Sequence, residues 1–163
     1  MDTRKIYEYA LQREVEGKRF FEQNADRMSH AAVVGAFKRL AAEEQKHIEF
    51  IKAQLDKLGK DQPQNVETAA RMEAPGFFSQ RADSEMIDQT VLQAMVPDLP
   101  VLRMAYLIER DFAEFYEMAA SKSEGGAKTV LRMLADWERA HEAFFKHLHD
   151  QAFEQYANMP WGG

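Results

Sequence analysis

Apolar residues recur along this chain at the three- and four-residue spacing of a helix buried on one side. Four stretches carry that spacing far enough to predict long helices. The first covers about residues 2–28, with Tyr7, Ala10, Gly17, Phe21 and Met28 on one face. A turn near Ser29-His30 follows, where Ser29 is placed to cap the next helix. That second helix runs to about Leu58, with Gly59 as its stop and Pro63 soon after. Its face holds Phe37, Leu40, Ala41, Ile48, Ile51, Leu55 and Leu58. The third covers about residues 98–121, with Pro100 tolerable in its first turn and Leu102, Ala105, Tyr106, Phe112, Ala113 and Tyr116 on one side. After Ser123-Glu124-Gly125-Gly126 the fourth runs over about residues 127–157, with Leu131, Leu134, Ala135, Phe145 and Leu148 aligned.

Residues 59–97 break the pattern. Pro63, Pro75, Gly76 and Pro97 punctuate them, and Ser84 is placed to cap a short helix over Met86, Ile87, Val91, Leu92 and Met95. A connection of this length is no hairpin turn and is expected to travel the length of a bundle. The chain therefore reads as all-α: hairpins at about 2–58 and 98–157 closed into a single four-helix domain over residues 1–163, with a long crossover between helices 2 and 3. Two independent hairpins on a flexible linker are the competing arrangement, but each alone would leave an apolar face bare.

The apolar faces are interrupted at corresponding places. Glu14 interrupts the first and Glu109 the third, while Glu44 with His47 interrupts the second and Glu138 with His141 the fourth. The two halves of the chain repeat: Glu14 corresponds to Glu109, Glu44 to Glu138 and His47 to His141, and Phe20-Phe21 echoes Phe115-Tyr116. Glu and His three apart share one helix face, so each pair can converge on one cation. Residues equidistant from a hairpin turn lie level in antiparallel helices, which puts Glu14 beside Glu44-His47 and Glu109 beside Glu138-His141.

Composition narrows the chemistry. With 163 residues, 45% of them hydrophobic and 29% charged, the chain can bury a core. A net charge of −6 argues against a nucleic-acid partner. The absence of cysteine excludes disulfides, thiolate-bound metals and a thiol nucleophile. The N-terminus lacks the apolar run of a signal peptide, and no run of about 18 apolar residues is present to span a bilayer, so the expectation is a cytoplasmic protein with no membrane partner. Four ionised glutamates in an apolar interior need counter-charge; two divalent cations supply it while both imidazoles stay neutral. Buried Glu–Arg, Glu–Lys or Glu–His pairs are the bland alternative, but Arg and Lys are missing from these faces. Oxygen-rich ligation with one nitrogen per metal suits iron or manganese.

Ala10-Leu11-Gln12-Arg13-Glu14 leading to Phe20-Phe21, then Leu40-Ala41-Ala42-Glu43-Glu44-Gln45-Lys46-His47, resembles the rubrerythrin-type di-iron domain of the ferritin-like superfamily. Leu134-Ala135-Asp136-Trp137-Glu138-Arg139-Ala140-His141 matches it again, so the resemblance spans nearly the whole chain. It implies a ferritin-like four-helix bundle holding two iron ions, or manganese or a mixed pair, on Glu14, Glu44, His47, Glu109, Glu138 and His141. Glu44 and Glu138 are expected to bridge the metals. It also implies an oxidoreductase that reduces peroxide or dioxygen, and a homodimer or larger assembly. A ferroxidase handling iron and a non-enzymatic metal-binding or sensor protein are the alternatives.

The chain also departs from that family. Rubrerythrins carry a cysteine-ligated iron domain that this chain lacks, so electrons must come from a separate donor protein. Phe112 stands where they carry an additional glutamate, which leaves the ligand switch of their peroxidase cycle without that residue. Phe21 replaces the tyrosine expected after the first ligand, and Tyr116 keeps it in the second half. Tyr116 is expected either to donate its hydroxyl to a ligand carboxylate across the bundle or to serve as an ordinary core tyrosine. His147 and His149 read as solvated or favourably placed against the C-terminus of the last helix, His30 as a turn residue, and the nine methionines as core filler. Trp137 is expected to point away from Glu138, toward packing or an interface.

Overall fold

In the computed structural model of the chain, which describes residues 2–60, 62 and 89–160, Asp2 opens the first helix. Its carboxylate accepts from the backbone N–H groups of Arg4 and Lys5 (3.0 and 3.4 Å), satisfying donors the first turn leaves free. This helix, α1, spans Thr3–Ala25, three residues short of the expected end. Met28 and Arg27 instead close tight turns onto Ala25 and Asn24.

The second helix, α2, spans Ala31–Gly59. Its cap is His30, whose Nδ1 accepts from Ala32 N–H at 3.1 Å, and not Ser29 as expected. The Ser29 N–H is engaged elsewhere, by both oxygens of Asp98 at 2.8 and 3.0 Å. Gly59 belongs to the last turn of α2 and does not lie beyond it.

Of the expected crossover, Pro63, Pro75, Gly76, Ser84, Met86 and Ile87 lie outside the described residues. Its last part forms a short helix, α3 (Gln89–Ala94), and a 3-10 turn over Val96–Asp98. There Leu92 and Met95 are buried against the core. Gly59 lies beside Arg4 at one end of the hairpin, whereas Asp98 is bonded to the turn at the other end. Gly59 and Asp98 therefore lie at opposite ends of the bundle.

The remaining helices are α4 (Leu99–Ser121) and α5 (Gly125–Asn158). Gly125, at φ 57°, lets α5 begin two residues earlier than expected, since a side chain there would be strained. Helix α1 packs on α2 and α4 on α5, giving the all-α four-helix bundle the apolar stripes predict; no strand occurs among the described residues.

Two apolar clusters fill the bundle. One gathers Phe21, Phe37, Leu40, Leu102 and Phe145; the other gathers Tyr7, Ile51, Tyr116, Leu131 and Leu134. On every long helix the inward Glu or Glu–His lies between members of the two clusters.

Asp98 is 2% exposed and ties the α1–α2 turn to the start of α4 across 69 positions of sequence. Asp98→Ala leaves the Ser29 N–H without its acceptor and is expected to cost about 1–3 kcal/mol. Asp98→Asn, which keeps an oxygen there, should cost less. Thermal melts of the two variants check the order.

Candidate metal centre

Six side chains meet between the apolar clusters. Glu14, Glu44, Glu109 and Glu138 are 0% exposed, His47 4% and His141 5%. Their ligand atoms form two overlapping groups, each with all atoms within 4.8 Å of one another: Glu14, Glu44, His47 and Glu138, then Glu44, Glu109, Glu138 and His141. Glu44 and Glu138 belong to both.

The atoms divide cleanly. His47 Nδ1 lies 3.3 Å from Glu14 Oε2, 3.0 Å from Glu138 Oε1 and 3.7 Å from Glu44 Oε2. His141 Nδ1 lies 3.2 Å from Glu109 Oε2, 3.3 Å from Glu138 Oε2 and 3.6 Å from Glu44 Oε1. Each shared carboxylate thus turns one oxygen toward each imidazole. Both histidines face the cluster with the same ring nitrogen, as the repeat requires.

Both oxygens of Glu44, and Oε1 of Glu109, are buried without a hydrogen-bond partner. Among the described residues no Lys or Arg pairs with any of the four glutamates. Orphaned acceptors at zero exposure are costly, and cations are what such oxygens suit. The donor set, carboxylate oxygens plus one imidazole nitrogen on each side, fits two hard or borderline divalent metals such as iron or manganese.

Without a cation the cluster holds protons. Burial, and then the negative charge of Glu138, pushes the Glu44 carboxyl well above its ordinary range; burial, then Glu44, does the same to Glu109. Burial opposes charge on His47, but Glu138 and Glu44 outweigh it and raise that imidazole's pKa. Burial also works against an ionised Glu138, yet the two imidazoles outweigh it and hold this carboxyl below the usual range.

Around the cluster stand three aromatic residues. The Tyr116 hydroxyl donates to Glu14 Oε1 across the bundle, and burial, then Glu14, keeps its own proton on. Phe112 lies under α1, where a Cβ on Gly17 would come within 2.9 Å of its ring and 3.9 Å of Glu44 Oε2. The Arg13 guanidinium lies over that ring, 4.7 Å from its centroid. Phe112 and bare Gly17 together close the α1–α4 side.

Trp137 packs against the core, as expected, but does so beside the cluster, where the expectation from sequence does not place it. Its indole stacks on the His47 imidazole, centroids 4.9 Å apart and planes 17° from parallel, with Phe50 edge-on at 5.7 Å. A signal was present: Val130, Leu134, Trp137 and His141 follow one another at four, three and four residues. His30 caps α2, and His149 stacks on Phe153 beside Asp150, so neither belongs to the cluster.

A family model described as Rubrerythrin matches residues 5–149 of the chain. No curated protein and no solved structure matches it. Among the described residues no helix is long and apolar enough to cross a membrane.

Proposed function

The chain belongs to the rubrerythrin family, and from that premise we propose that it is a di-iron carboxylate oxidoreductase reducing peroxide or dioxygen with electrons from a separate donor protein. The observation that supports this best is the pair of shared carboxylates. Glu14 and His47 would hold one cation and Glu109 and His141 the other, with Glu44 and Glu138 common to both.

The chemistry that two bound ferrous ions supply is a two-electron reduction: with two protons, peroxide goes to two molecules of water and no one-electron radical is released. The protein's part is to position and to exclude. Tyr116 holds Glu14 Oε1, which leaves Oε2 turned toward His47, and keeps a proton at the edge of the cluster. The apolar clusters and Phe112 keep bulk water from the carboxylates, so their charge acts in a low dielectric. These 163 residues contain no cysteine to carry electrons, which is why the reductant is proposed to lie outside them.

Stopped-flow absorbance of the iron-loaded, reduced chain mixed with peroxide tests the reading. Oxidation far faster than that of free ferrous iron, with product iron staying bound, is the expected result; a rate no faster than free iron removes it. Iron accumulating beyond two per chain under dioxygen would assign ferroxidase activity instead.

A further inference from the structure

Within each hairpin the two helices pack closely, whereas α1 meets α4, and α2 meets α5, along sparser seams. A small molecule bound for the buried carboxylates has least to displace at those two seams. Beside the cluster the α2–α5 seam holds the Trp137 indole, stacked flat on His47 with Phe50 edge-on to it. A molecule arriving there meets a ring already pressed on a candidate ligand. At the α1–α4 seam the ring beside the cluster is Phe112, and it is buried. The point where a Cβ on Gly17 would stand lies 2.9 Å from that ring and 3.9 Å from Glu44 Oε2. Glycine puts no side chain between the two. The Arg13 guanidinium lies over Phe112 at 4.7 Å and over the exposed Tyr9 ring at 5.9 Å, with its Nε buried and unpartnered. Tyr9, Arg13, Phe112 and Glu44 thus follow one another from the surface to the carboxylate common to both groups.

We propose that Phe112 sets the size of oxidant that reaches the cluster: its ring, seated against the bare backbone of Gly17 beside Glu44, admits hydrogen peroxide or dioxygen along the α1–α4 seam and turns away hydroperoxides that carry a bulky alkyl group. This rests on the proposed reduction of peroxide by two ferrous ions. The selection is steric, because the electron and proton count is the same for both kinds of peroxide. The O–O bond breaks, two ferrous ions become ferric and two protons are taken up. Hydrogen peroxide gives two waters, and an alkyl hydroperoxide gives an alcohol and one water. The space beside the ring is what differs for them. A close-packed core side chain loses contacts on every side when it is pushed out. Two oxygen atoms pass with a brief movement of the ring, whereas a tert-butyl group needs the volume the ring itself fills.

The experiment compares stopped-flow oxidation of the iron-loaded, reduced full chain by hydrogen peroxide and by tert-butyl hydroperoxide, read as a ratio of the two rates. That ratio should fall by about tenfold or more in Phe112→Ala and by less in Phe112→Leu, which keeps more of the core filled and guards against a variant that fails to fold. Trp137→Leu, which opens the α2–α5 seam instead, should leave the ratio as it is in the unaltered chain. The cobalt-loaded chain reads entry with no redox step. Its visible absorbance should respond to azide in every variant, and to the bulkier imidazole only where Phe112 has been replaced. An unaltered chain that takes imidazole as readily as the Phe112 variants, a ratio that stays level in both of them, or one that falls in Trp137→Leu would overturn the proposal. If imidazole enters as expected but no peroxide oxidises the bound iron faster than free iron, the steric role of Phe112 stands and only the oxidoreductase reading falls.

Discussion

Glu44→Gln is expected to lower metal binding at both positions at once while making the metal-free protein more stable. Glu44 turns Oε2 toward His47 and Oε1 toward His141, so an amide there removes a negatively charged candidate ligand from each group. Loss of an outer partner at a metal site already costs about 10–100-fold, and loss of a shared ligand should exceed that in both affinity and peroxide-driven oxidation. Glu109→Gln, by contrast, touches one group only and should leave one cation bound. The stability effect has the opposite sign. Burial and the negative charge of Glu138 and Glu14 penalise an ionised Glu44, so folding near neutral pH carries that penalty and glutamine removes it. Elemental analysis beside thermal melts of the metal-free protein reads both. A variant that loses metal because it is simply misfolded would melt lower, not higher.

That opposition explains why so much of the site could be read from the sequence. An apolar stripe is a strong helix signal, and a carboxylate within one is conspicuous because it works against folding. Glu14, Glu44, Glu109 and Glu138 each interrupt such a stripe, and the symmetry of each hairpin puts Glu14 level with Glu44 and Glu109 level with Glu138. What could not be read depends on how one hairpin is rotated against the other. The spacing puts Trp137 near His141 on its own helix, but only the seating of α5 against α2 brings it onto His47. The Ser29–Asp98 tie fails for a related reason. Ser29 is a good cap by type, but a buried carboxylate 69 positions away claims its N–H, and His30 caps α2 in its place. Local preference set the position of the turn; a long-range contact chose which residue does what within it.

The second large effect is a divergence between metal-free and metal-loaded protein as pH rises. In the metal-free state Glu44, Glu109 and His47 all have raised folded-state pKa values, the carboxyls through burial and mutual repulsion, the imidazole through Glu138 and Glu44 overcoming burial. A raised folded pKa means the native state binds more protons than the unfolded chain. Its contribution is fully present below the ordinary value, about 4.3 for glutamate and about 6.5 for histidine, and is lost as pH climbs through the folded value. Glu138 runs the other way, but its lowered pKa places that loss on the acid side of the usual carboxylate range. Metal-free stability should therefore fall steadily from about pH 5 to about pH 8. Cations take the place of those protons, so binding strengthens with pH and releases protons into solution. At a thousandfold excess over Kd a single bound ion adds about 4 kcal/mol, enough to reverse the slope. Thermal melts across that range, with and without ferrous iron or manganese, would show two curves moving apart. Calorimetry in buffers of different ionisation enthalpy counts the protons released. A metal-free protein whose melting point holds level or rises over the same range would mean that the carboxylates find their counter-charge elsewhere, and the case for two cations between them would fall with it.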